Sequence, residues 1–112
     1  MPDNDSGKSP VPQVRNLKGL LHYQTSSVVS HVLVKNQGGN VTLFAFAKGE
    51  GLSEHTAPFD ALVVGIEGEA EIQISGNKYR LQEAETITMP ANEPHGVTAL
   101  TDFKMLLVMI RG

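Results

Sequence analysis

From Ser27 to Ile110 the apolar side chains fall on alternate positions, and glycine, proline, asparagine or aspartate interrupts them every six to twelve residues. A period of two belongs to an extended strand with one dry face and one wet face. Glu69 to Ile74 is the clearest case, with Ala70, Ile72 and Ile74 on one side and Glu69, Glu71 and Gln73 on the other. By the same pattern Val28 to Lys35 and Val41 to Ala47 form a hairpin, with Gly38-Gly39 supplying the backbone freedom its turn requires. Further strands are predicted over Ala61 to Ile66, Lys78 to Leu81, Thr86 to Met89, His95 to Ala99 and Phe103 to Ile110, with a short one at Ser53 to Thr56.

Nine short strands in roughly 85 residues leave only closed or sandwiched antiparallel architectures, because an open sheet of that size exposes long edges. The expected fold is all-β, a small jelly-roll barrel, over residues 27–112. Residues 1–26 read as an N-terminal tail and arm. The first fifteen or so are polar and proline-punctuated, too poor in apolar area to offset their ordering entropy. Val14 to Thr25 differs, since Leu17, Leu20, Leu21 and Tyr23 need cover. That segment, or the strand Val28 to Lys35, is expected to pack against or exchange with a second subunit, giving a homodimer.

Composition narrows the function classes. Nine basic residues against twelve acidic ones give a net charge of −3, slight and of the wrong sign for a phosphate-backbone binder, so no nucleic acid partner is expected. The absence of cysteine removes disulfides, thiolate metal sites and cysteine nucleophiles together. The longest apolar run, Met105 to Ile110, suits a buried strand and falls far short of a membrane span. Met1 to Pro12 lacks the apolar stretch of a signal peptide, so a cytoplasmic location and no membrane partner are expected.

Two segments carry the candidate chemistry: Gly49 through His55, Ala57 and Ala61 to Gly68, and Ala84 through Pro90 and His95 to Ala99. Their spacing resembles the two motifs of the small single-domain bacterial cupins of the RmlC-like cupin superfamily. In the first motif Gly49, His55 and Gly68 match, while Ala57 stands where a second His is usual and Ala61 where a Glu is usual. In the second, Pro90 and His95 match, while Ala84, Asn92 and Ala99 replace Gly, Gly and Asn. The resemblance implies a double-stranded β-helix and covers about residues 27–111; as the scaffold hosts many chemistries, it names no activity.

Cupins of the full pattern bind a divalent metal through three His and one Glu, and two of those four ligands survive here as His55 and His95. The expected site is therefore a ligand pocket of His55, Ala57, Ala61 and His95, with the two alanine methyls converting ligand positions into apolar wall. By this resemblance any divalent metal (Mn, Fe, Ni or Zn) would be held weakly by His55 and His95, unless His31 or Asp60 completes the set; strand parity sends Asp60 outward. Three readings follow: a module binding a small, partly apolar metabolite, a metal-dependent enzyme of dioxygenase or isomerase type with an incomplete His site, or a stability or assembly domain whose pocket is vestigial. Met89, Met105 and Met109 are expected in the core. Glu67, Glu69 and Glu71 are expected on the wet face.

Overall fold

The computed structural model describes residues 11–111. They form nine strands: β1 Val28–Asn36, β2 Gly39–Phe46, β3 Gly51–His55, β4 Asp60–Glu67, β5 Glu69–Ile74, β6 Asn77–Gln82, β7 Thr86–Met89, β8 His95–Ala99 and β9 Phe103–Ile110. A five-stranded sheet in the order β1-β2-β9-β4-β7 faces a four-stranded sheet in the order β3-β8-β5-β6. All pairings are antiparallel, as the alternation predicted, and the two facing sheets form the double-stranded β-helix that the resemblance implies. No helix long and apolar enough to cross a membrane occurs among the described residues. Most of the tail expected at residues 1–15 lies outside the described residues; Val11 to Arg15 are exposed and lie outside any strand.

The dry faces meet in one core. Phe46, Val63, Ile72, Phe103 and Met105 are fully buried, and the rings of Phe46 and Phe103 lie 5.9 Å apart. Turn chemistry sets the hairpins. Between β5 and β6, Ser75 and Gly76 both have positive φ, 50° and 84°, the paired left-handed conformation that suits the twist of a two-residue hairpin.

Ala84 adopts φ 67°, and Asn92 φ 66°. These are two of the motif positions where glycine is usual, and the backbone explains the preference. A Cβ in this region costs about 1 to 2 kcal/mol, which asparagine tolerates better than alanine. Because Ala84 is exposed, Ala84→Gly should stabilise the protein by roughly 0.5 to 1 kcal/mol after the added unfolded-state freedom is subtracted. A urea midpoint that falls on this substitution would contradict the strain.

The arm packs on its own barrel. Leu17, Leu20, Leu21 and Tyr23 are all partly buried. The Tyr23 hydroxyl donates to Glu67 Oε1 at 2.6 Å, and Lys104 Nζ lies 4.9 Å from the Tyr23 ring centre. Lys104 is 5% exposed, a cost met by donation to the Lys18 carbonyl at 2.5 Å and by the Glu67 carboxylate at 3.7 Å. Burial first, and then the hydrogen bond to Glu67, push the Tyr23 phenol well above its ordinary range. Glu67 is thus an anchor for the arm rather than a purely solvated carboxylate. Glu69, likewise, accepts from Arg80 Nε and Nη2 at 2.9 Å each.

Candidate functional site

His55 closes β3, and His95 opens β8, where the two residues stand directly opposite each other in the antiparallel pair. Facing positions of this kind place their Cβ atoms about 5 Å apart, so two imidazoles there must meet. Their Nε2 atoms are 3.2 Å apart and the rings cross nearly at right angles, at 81°. A β-bulge between Leu52 and His55 aims His55 inward. Three positions apart, these residues would face opposite sides of a regular strand, but the extra residue lets both line the cavity. Sequence parity did not locate this bulge.

Hydrogen bonding assigns the tautomers. The Ser53 carbonyl can only accept, so His55 Nδ1 donates to it at 2.7 Å and Nε2 of the neutral ring carries the lone pair. His95 Nε2 is then the donor between the rings. Its Nδ1 is buried without a hydrogen-bond partner among the described residues. Burial, and secondarily the neighbouring His55, hold the His95 pKa below the ordinary imidazole value, while the Glu93 backbone acts the other way. Burial thus favours the neutral form of His95, which lies inside at 4% exposure, while His55 forms the exposed lip.

A neutral His95 makes stability depend on pH. The unfolded chain takes up a proton near pH 6.5 more readily than the folded one. This contribution is present above that pH and is lost as pH falls through the lower folded value. Between pH 6.5 and 5, wild type should lose stability more steeply than His95→Leu; parallel slopes in urea titrations would show that His95 is not held neutral.

Around the imidazoles is a cavity of about 40 Å³ walled by Leu52, Ala57, Ala61, Met89, Val97, Met105, Leu107 and Met109. All four expected pocket residues line it. Ala57 does so from beyond the end of β3, in the connection to β4, rather than from the strand itself. The three methionines, expected as core, also line the cavity. Ala61 pairs with Met89 on one side and Met109 on the other, so these three side chains stand in one row across β7, β4 and β9.

His31 and Asp60 lie elsewhere. His31 is exposed on β1, paired with Leu43. Asp60 is exposed and its Oδ1 accepts from the Ala91 amide at 2.9 Å. Among the described residues no three His, Cys, Asp or Glu side chains converge. The three-His, one-Glu set that the resemblance implies thus does not fit the residues present: methyl groups occupy two ligand positions, and neither His31 nor Asp60 replaces them.

The sequence over residues 42–111 matches the family model described as Cupin domain. Among solved structures the chain is similar to a conserved protein of unknown function from Streptococcus pyogenes, at 36% identity and TM-score 0.85, over 89% of this chain and 88% of that one. A cupin superfamily protein from Desulfitobacterium hafniense is 30% identical with TM-score 0.85, covering 90% and 94% of the two chains. A cupin 2 conserved barrel domain protein from Leptotrichia buccalis is 39% identical with TM-score 0.83, over 87% of this chain but 47% of that longer one. No curated protein matches the sequence.

Proposed function

Since the chain belongs to the cupin domain family, we propose that it is a binding module whose barrel cavity takes a small, partly apolar organic ligand, gripped at its polar end by His55 and His95. The observation that carries this reading is the paired imidazoles in a cavity whose eight other lining side chains are all apolar. Such a lining rewards burial of hydrocarbon and offers one point of polar recognition. A cavity of about 40 Å³ is room for only a few water molecules at roughly 10 to 15 Å³ each. A ligand of more than a few atoms must displace the methionines, whose unbranched side chains re-pack readily.

The test is a titration of straight-chain carboxylates from acetate to hexanoate, with the matching alcohols, followed by NMR of the alanine, leucine and methionine methyls. Affinity should rise by about 0.8 kcal/mol per buried methylene until the cavity is full. His55→Ala should erase the preference for carboxylate over alcohol. Shifts confined to methyls outside the cavity would refute the reading.

We also propose that the protein is a homodimer through the outer face and free edge of its five-stranded sheet. In support, β1 is an edge strand with no neighbour beyond it among the described residues, and beyond the arm Val41, Leu62 and Val108 are half-buried with Val34 47% and Ile110 57% exposed. A second copy seated there would cover both the edge and the aliphatic face. The arm already finds partial cover on its own barrel, which transfers the expected contact to β1. Sedimentation should show a dimer at tens of micromolar, and Val34→Glu with Ile110→Lys should return a folded monomer. A wild-type monomer at that concentration would exclude the interface.

A further inference from the structure

We propose that the cavity is a site for a soft monovalent metal ion, cuprous copper in particular, held by Nε2 of His55 and His95 and by the thioethers of Met89 and Met109. The inference rests on the cavity being the binding site of this chain but is independent of any organic ligand. Its starting point is the misfit with the three-His, one-Glu set. A divalent ion of manganese or iron type favours oxygen donors, and the usual carboxylate position here is the methyl of Ala61. Flanking that methyl in register are Met89 and Met109, two neutral sulfur donors on the neighbouring strands. Thioether sulfur and neutral imidazole select a soft d¹⁰ ion such as Cu(I) over hard divalent ions. An apolar wall also tolerates one positive charge far better than two, since the cost of burying charge grows with its square.

The spacing of the imidazoles agrees. In a tetrahedral shell with metal–nitrogen distances of about 2.0 Å, two nitrogen ligands lie about 3.3 Å apart. The Nε2 atoms stand 3.2 Å apart. Two corners of a tetrahedron are thus already at the right separation. The Ser53 carbonyl holds His55 in the tautomer with a bare Nε2, the outer-shell hydrogen bond characteristic of metal-ligating histidines. His95 must move its proton from Nε2 to Nδ1, which is unpartnered among the described residues, and the rings must turn from their mutual hydrogen bond so that both lone pairs meet at one point; His95 then binds a cation without losing a proton to solvent. No electron transfer is involved, because copper enters and stays as Cu(I).

The experiment uses untagged protein under argon, with Cu(I) supplied in the presence of excess reductant and competed against bicinchoninate. One Cu(I) per chain should be retained, and X-ray absorption should show nitrogen near about 2.0 Å and sulfur near about 2.3 Å. Met89→Leu and Met109→Leu should each weaken retention at least about tenfold. His31→Ala, at an exposed position of β1 outside the cavity, should leave it unchanged, and His55→Ala should abolish it. Absence of sulfur from the wild-type absorption spectrum overturns the proposal without recourse to any variant. So does equal retention by the Met89, Met109 and His31 variants. If Cu(I) is not held while carboxylates still perturb the cavity methyls, this inference falls alone; if neither binds, the cavity is not the binding site and both readings fall.

Discussion

Ala57→His combined with Ala61→Glu should raise the affinity for Ni²⁺ at least about thirtyfold over wild type, equivalent to roughly 2 kcal/mol. Both alanines line the cavity with His55 and His95, and Ala61 is 4% exposed, so the new side chains begin at its wall. A four-ligand protein site is worth roughly 10 to 16 kcal/mol, so two restored ligands supply about half of that. Against it stands a cost of roughly 1 to 3 kcal/mol for forcing larger groups into a packed wall. The carboxylate side chain introduced by Ala61→Glu must displace Met89 and Met109, the register neighbours of Ala61, so the same variant should lose its hold on Cu(I). Calorimetric titration of both proteins with Ni²⁺ is decisive. Tight stoichiometric Ni²⁺ in wild type would refute the degenerate site, and a folded double variant with no gain would refute the assignment of positions 57 and 61 to the lost ligands.

Phe103→Ala should remove about 3 to 5 kcal/mol of stability, a large share of the roughly 5 to 15 kcal/mol that small domains possess. Phe103 and Phe46 are both fully buried, one at the start of β9 and the other facing it at the end of β2. Truncation leaves a void that strands on both sides cannot close, since each is held in register by its neighbours. The guanidinium midpoint should fall sharply at an unchanged slope. Phe46→Ala should be of similar size, and the double variant less than additive by about 0.5 to 1.5 kcal/mol, the coupling typical of an aromatic pair. His31→Ala, on an exposed strand position, is the control and should stay within about 0.5 kcal/mol of wild type. A Phe103→Ala loss no larger than that control would mean that the core is not closed around this ring.

The alternation in Glu69 to Ile74 and its counterparts was enough to read nine antiparallel strands, because a sheet with one buried face imprints its period on the chain directly. The spacing of His55, Gly68, Pro90 and His95 was enough to name the fold family and two pocket residues. Ala57 and Ala61 could be read as lost ligands for the same reason. What the period could not carry was any irregularity or any contact between sheets. The bulge before His55 has no residue signature, yet it decides that Leu52 and His55 share the cavity. The left-handed conformation at Ala84 is likewise invisible in an alanine. Lys104 occupies an outward position that reads as wet until the arm folds over it. The alignment of Met89 and Met109 on either side of Ala61 arises because β4 pairs with β7 on one edge and β9 on the other. Local sequence thus determined the strands and the candidate ligands, since those depend on each residue's own pattern. Only the tertiary structure decided which side chains surround the histidines, because long-range register brings together residues far apart in the chain.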